Sequence, residues 1–175
     1  MIKIAILGPE STGKTELARQ LAEHYKVPWV PEYARQYVEN LKEPYTFEDV
    51  SNIALKQIEQ EMQIESTNLN AKFVFFDTDL IITKVWFEYC FGKVPAFLTE
   101  RMKTVFFDLY LLCAPDLPWE PDPVREHGND RDFFFDWYKR EIEQTLKPYV
   151  IVKGIGNQRL NNAIKAVEST FDLIK

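Results

Sequence analysis

Gly8-Pro9-Glu10-Ser11-Thr12-Gly13-Lys14-Thr15 lies between two stretches of different periodicity. Ile2 to Leu7, before it, is a short apolar run of the kind a buried strand shows. After it, Leu17, Ala18, Leu21, Ala22 and Tyr25 recur at helical spacing. The octapeptide matches G-x-x-x-x-G-K-[ST] in the strand-to-helix setting that the motif needs. Its glycines let successive N–H groups turn inward and the helix N-terminus adds positive dipole, while Lys14 can reach terminal phosphates and Thr15 can offer a hydroxyl to Mg²⁺. A nucleotide-binding set follows: Gly8, Glu10, Ser11, Thr12, Gly13, Lys14, Thr15 and Glu16, with the choice between ATP and GTP left open by the motif.

Outward from the loop, strands and helices alternate. Val27 to Val30 reads as a second strand closed by Pro31, and Glu32 to Leu41 as a helix. Thr46 with Asp49 resembles an N-terminal capping arrangement for a helix over 46–68. Phe73 to Phe76 and Phe107 to Leu112 are continuous apolar runs, the signature of strands buried on both faces. Helices are expected over 80–89, 95–105 and 131–146. Tyr149 to Val152 makes a last strand, and Leu160, Ala163, Ile164, Val167, Phe171 and Ile174 mark a final amphipathic helix. The pattern predicts a single α/β domain over 1–175, with a parallel sheet covered on both faces and ligands gathered at the C-terminal strand ends. Residues 114–131, rich in proline and charge, read as a long loop and candidate lid.

The 175 residues are 46% hydrophobic, enough to bury a core without disulfides or metal. Two isolated cysteines and two isolated histidines make a structural zinc site or disulfide scaffold improbable. A net charge of −6 argues against nucleic acid and anionic membranes as partners. With no signal-peptide core and no apolar stretch long enough to span a bilayer, a cytoplasmic location is expected.

Phosphoryl transfer needs a positioned acceptor, cations on the migrating charge and exclusion of water. Asp77, ending the third strand, is placed to hold Mg²⁺ beside the loop, though it or Asp79 could instead cap the next helix. Glu32 could take the proton of a substrate hydroxyl or be a solvated helix-start carboxylate; Glu32 and Asp77 stand as alternative bases. Arg125 and Arg131 flank the end of the long loop as lid arginines or surface ion pairs. Trp119 is either a substrate contact or an anchor for its loop. The residues alone leave open a kinase of some nucleoside or small alcohol, or a nucleotide-binding regulator.

The set Gly8 to Thr15, Pro31-Glu32-Tyr33-Ala34-Arg35, Phe76-Asp77-Thr78-Asp79, Leu117-Pro118-Trp119-Glu120-Pro121-Asp122 with Arg125, and Asn157-Gln158-Arg159 resembles the nicotinamide riboside kinase family, in its bacterial NadR-type kinase domain. The resemblance runs from residue 2 to about 170. It implies a nucleoside-monophosphate-kinase-like fold with sheet order 2-3-1-4-5, and transfer of the ATP γ-phosphate to the 5′-hydroxyl of nicotinamide riboside. It further implies phosphate and Mg²⁺ binding by Lys14, Thr15 and Asp77, and a substrate pocket from Glu32, Tyr33, Arg35, Asp79, Trp119 and Asp122. Arg125 and Arg131 would serve the lid, and Arg159 would lie against adenine. Nicotinamide riboside is a pyridinium cation without phosphate, so its pocket should offer aromatic faces and carboxylates, as Trp119, Glu120 and Asp122 do. A mononucleotide acceptor would call for extra arginines. The lid departs from simpler versions in carrying Pro121, Pro123, Glu126 and His127 around Arg125. With the loop starting at residue 8, the DNA-binding segment and adenylyltransferase domain of some family members are not expected ahead of it.

Overall fold

The computed structural model describes residues 1–68, 70–104, 107–122 and 128–172. Arg125, Val105 and Ile174, each assigned above, lie outside the described residues. Five strands, β1 (Ile2–Leu7), β2 (Trp29–Val30), β3 (Phe73–Asp77), β4 (Leu109–Cys113) and β5 (Tyr149–Val152), alternate with helices α1 (Lys14–Tyr25), α2 (Tyr33–Glu39), α3 (Phe47–Thr67), α4 (Leu80–Phe91), α5 (Ala96–Thr104), α6 (Arg131–Gln144) and α7 (Asn157–Thr170). The strands pair in parallel in the order β2-β3-β1-β4-β5. This is the topology that the resemblance implied.

Alternation along each central strand sends neighbours to opposite faces. Ile4, Ile6, Phe73, Phe75, Leu109 and Leu111 pack on one side against Leu17 and Leu21 of α1 and Ala163 and Val167 of α7. Ala5, Leu7, Val74, Phe76, Tyr110 and Leu112 face the other, with Ile81 and Val85 of α4 and Phe134, Tyr138 and Ile142 of α6. A third cluster joins α3 to α4 and α5 through Val50, Ala54, Phe87 and Leu98. The order with β1 central brings the C-terminal ends of β1, β3 and β4 together, and the first loop sits there.

Local chemistry accounts for the element ends. Thr46 and Asp49 form a reciprocal capping box, with Asp49 N–H donating to Thr46 Oγ1 at 3.3 Å and Thr46 N–H to Asp49 Oδ2 at 2.8 Å. Gly92, with φ of 63°, ends α4 in the left-handed region. β2 is shorter than the Val27 start expected from its apolar run. Pro28 has no N–H to contribute to a ladder, and only its carbonyl engages β3, at Phe75 N.

Candidate active site

The loop after β1 is held by its own atoms. Gly8 has φ of 149°, and a Cβ there would stand 2.8 Å from the Cys113 carbonyl oxygen and 2.9 Å from Thr12 Oγ1. Thr12 Oγ1 donates to the Pro9 carbonyl at 2.8 Å, and Ser11 is itself left-handed at φ of 55°. Gly13 opens α1 with no side-chain cap, so the first amides of the helix are not claimed by a capping side chain. Lys14 Nζ folds back on the Pro9 carbonyl at 3.2 Å.

Thr15 Oγ1 donates to Asp77 Oδ2 at 2.6 Å. Asp77 is buried, and its Oδ1 is left without a well-formed hydrogen bond. Burial raises its pKa, against the pull of the Lys14 charge and the Thr15 hydroxyl. It is therefore Asp79 and not Asp77 that caps the following helix: Asp79 Oδ1 accepts from Ile81 N–H at 2.8 Å. Burial pushes the Asp79 carboxyl up to about 7.

Glu32 stands at the start of α2 but makes no capping hydrogen bond. Loss of water raises its pKa; the Lys14 and Arg35 charges oppose that, and Asp77 and Glu10 add to it. Glu16 is bound on the surface by Arg19 at 2.7 Å, which lowers its pKa.

A cavity of about 380 Å³ opens over this loop. Gly8 through Glu16 form one wall; Glu32, Ala34, Arg35 and Val38 form a second, and Tyr45, Ile82, Trp86, Tyr89, Phe134 and Tyr138 a third. A smaller cavity of about 50 Å³ lies behind it, lined by Tyr33, Gln57, Gln60, Glu61, Asp77, Thr78 and Asp79 among others. Of the expected substrate residues, Glu32 and Arg35 line the main cavity, whereas Tyr33 and Asp79 line the smaller one.

The stretch read as a lid is, over 114–122, a strap fastened along its length. Asp116 Oδ2 accepts from Gly154 N–H at 2.8 Å, and its Oδ1 pairs with Arg159. The Leu117 carbonyl accepts from Arg131 Nη1 at 2.8 Å, and the Ser11 hydroxyl exchanges hydrogen bonds with the Glu120 backbone. Asp122 Oδ2 accepts from both Nη atoms of Arg35 at 3.0 Å. Trp119 is turned to its own segment: the Arg131 guanidinium lies 5.9 Å over its ring, and a Cβ at Gly128 would come within 2.8 Å of it. Trp119 and Arg131 thus brace each other and do not line the cavity.

Arg159 also differs from expectation. Only 4% exposed, it donates to the carbonyls of Gly154 (2.8 Å), Thr12 (3.0 Å) and Ala114 (3.3 Å) besides pairing with Asp116. All its nitrogens serve the framework behind the phosphate loop, where a place against adenine had been expected.

The aromatic wall went unread in the sequence, as did Asp116. One signal was present: α4 is apolar almost all round, with Trp86 and Tyr89 outside the stripe that the core needs.

Curated relatives support the homology. Two are trifunctional NAD biosynthesis/regulator proteins NadR. The Salmonella typhimurium protein is 29% identical over 157 residues, covering 86% of this chain, and the Escherichia coli protein 29% identical over 159 residues with the same coverage. The chain spans 38% of the length of these relatives. Among solved structures, a NadR protein in complex with NR superposes with a TM-score of 0.78 at 25% identity, over 97% of this chain and 49% of that one. A NadR protein in complex with NAD and AMP-PNP gives 0.73 at 25% identity, over 98% and 49%. Thymidylate kinase from Ehrlichia chaffeensis shares the fold, with a TM-score of 0.70 at 15% identity over 95% of this chain and 98% of that one. The P-loop and its sheet thus have the frame of nucleotide kinases. With residues 3–159, from β1 to the buried arginine of α7, matching the model of the AAA domain family AAA_28, the chain belongs to that family.

Proposed function

We propose that this domain transfers the γ-phosphoryl group of MgATP to the 5′-hydroxyl of nicotinamide riboside, giving nicotinamide mononucleotide and ADP. One observation carries the reading: a single cavity joins the P-loop amides and Lys14 to three carboxylates, Glu10, Glu16 and Glu32, and a wall of Tyr45, Trp86, Tyr89, Phe134 and Tyr138. Aromatic faces with carboxylates suit a pyridinium cation. The relative solved with NR points the same way.

The chemistry asks little covalent work of the protein. The P-loop amides and Lys14 hold the donor phosphates. Thr15 and Asp77 would hold the Mg²⁺, which neutralises phosphate charge. Asp77 Oδ1, which lacks a well-formed hydrogen bond, fits that role. With Asp77 committed to Thr15, Glu32 is the better proton acceptor: the 5′-oxygen bonds to the γ-phosphorus, the bond to the ADP oxygen breaks, and the hydroxyl proton passes to Glu32. Its raised pKa favours that exchange. The unused capping capacity of Glu32 leaves its carboxyl available.

The deciding measurement is ADP release with MgATP and a panel of acceptors, with products identified by mass. Nicotinamide riboside should be phosphorylated in preference to neutral nucleosides. Turnover of a neutral nucleoside alone would replace the proposed acceptor, and nucleotide binding with no turnover of any acceptor would mark a regulator. No described helix is long and apolar enough to cross a membrane, and the assay needs no lipid.

A further inference from the structure

Among the described residues lining the main cavity, the lysine and arginine side chains are Lys14 and Arg35. Lys14 belongs to the phosphate loop. Arg35 stands on the acceptor side, and its charge is felt at both Glu32 and Asp77, where a hydroxyl would meet the migrating phosphoryl group. A guanidinium in that place is the natural holder of a phosphate already on the acceptor. Here its fork is occupied. Nη1 and Nη2 both donate to Asp122 Oδ2 at 3.0 Å, and Nη1 also meets Glu39 Oε1 at 3.0 Å. The Asp122 side chain is 20% exposed against 49% for Glu39, so Asp122 is the less screened and stronger partner. It arrives from 87 residues away on the strap fastened to the P-loop at Ser11.

We propose that Asp122 is a specificity-determining residue that silences Arg35, so the site takes an unphosphorylated acceptor and releases the phosphorylated product. The inference rests on reading the cavity as a kinase site with a hydroxyl acceptor. With Arg35 neutralised, Glu32 leaves the acceptor side negative, which attracts a cation and repels a phosphate dianion. Removing the Asp122 charge reverses that preference.

The test is the ratio of affinities for a nucleoside monophosphate and its parent nucleoside. It is measured by calorimetry with the donor site filled by MgAMP-PNP, using the nicotinamide pair and the thymidine pair. Asp122→Asn should raise the ratio in favour of the monophosphate about tenfold, as expected when a partly buried charge partner is removed. The double variant Arg35→Gln/Asp122→Asn should lose that gain, and Asp122→Glu should keep the wild-type ratio. The same double variant removes the pair without changing the net charge, so its monophosphate affinity should lie within about twofold of the wild type. An unchanged ratio in Asp122→Asn, a gain that survives loss of Arg35, or a tenfold loss of monophosphate affinity in the double variant overturns the proposal. If Asp122→Asn melts before measurement, the double variant decides. Failure of nicotinamide riboside as a substrate would leave the ratio readable on the thymidine pair, so the two claims fail separately.

Discussion

Arg159 Nη1 donates at 3.0 Å to the carbonyl of Thr12, a residue 147 positions earlier in the chain. The bond ties the crest of the phosphate loop to the last helix, and the same guanidinium holds the ends of the chain after β4 and β5. Replacing Arg159 by Met would take the donor from the Thr12 and Ala114 carbonyls and the ion-pair partner from Asp116, at about 3–5 kcal/mol. Chemical denaturation should show that loss. Arg159→Lys, which keeps charge but not the fork, should raise the KM for ATP more than that for the acceptor.

Gly8→Ala is expected to be more harmful than its size suggests. The new Cβ would meet the Cys113 carbonyl at 2.8 Å, in a backbone region that side chains rarely adopt. Either β4 or the loop must move. Binding of AMP-PNP, followed by calorimetry, should weaken at least about tenfold, with a stability loss of about 1–3 kcal/mol.

Asp77→Asn retains shape and a hydrogen bond to Thr15 while removing the charge. Turnover with MgATP should fall about 10²-fold or more, while binding of metal-free ATP changes little, because the loss is confined to the metal-side charge. Comparable losses with and without Mg²⁺ would make Asp77 a structural residue.

Two tryptophans invite a direct contrast. Trp86 lines the cavity, whereas Trp119 packs with Arg131 and Gly128. Trp86→Ala should raise the acceptor KM about tenfold with a smaller effect on the ATP KM. Trp119→Ala should lower Tm and shift the two constants together. Quenching of tryptophan fluorescence by the acceptor should disappear in Trp86→Phe and survive in Trp119→Phe.

The two cysteines should differ in reactivity. Cys90 is exposed, while burial pushes the Cys113 thiol from an ordinary value near 9 up to about 11. A thiol reagent at pH 8 should label one cysteine in the native protein and both after denaturation. The folded state keeps the Cys113 proton to higher pH than the unfolded chain does. Its contribution to stability is therefore complete below about pH 9 and lost as the pH rises from about 9 to 11. Cys113→Ser should flatten that part of the stability profile.

The sequence exposed what local spacing encodes. The strand, glycine loop and helix around Lys14, the Thr46–Asp49 cap and the doubly buried runs of β3 and β4 each carry their physics within a few residues. The Thr15–Asp77 bond was within reach because Asp77 ends β3 and Thr15 lies in the first turn of α1, both at the C-terminal edge of the sheet. Contacts closed by the tertiary fold were not legible. Nothing near Arg159 says that its fork turns inward to Thr12, Ala114 and Gly154 instead of outward to a base. Trp119 was open between a substrate contact and a loop anchor because a loop tryptophan has no periodicity to give away its partner, here Arg131. The aromatic wall was hidden because Trp86 and Tyr89 fall on a helix whose apolar residues also satisfy a core.

The pairing of β2 with β3 involves only Trp29 and Val30, and α2 buries none of its residues. The cavity wall that carries Arg35 is thus attached by side-chain clasps such as Arg35–Asp122 and Tyr37–Asp49, while the phosphate loop is rooted in the sheet. In amide hydrogen exchange, α2 should open at a small fraction of the global unfolding free energy and β1 only with the whole molecule. Such uneven rigidity lets the α2 wall of the cavity move while the loop after β1 stays fixed.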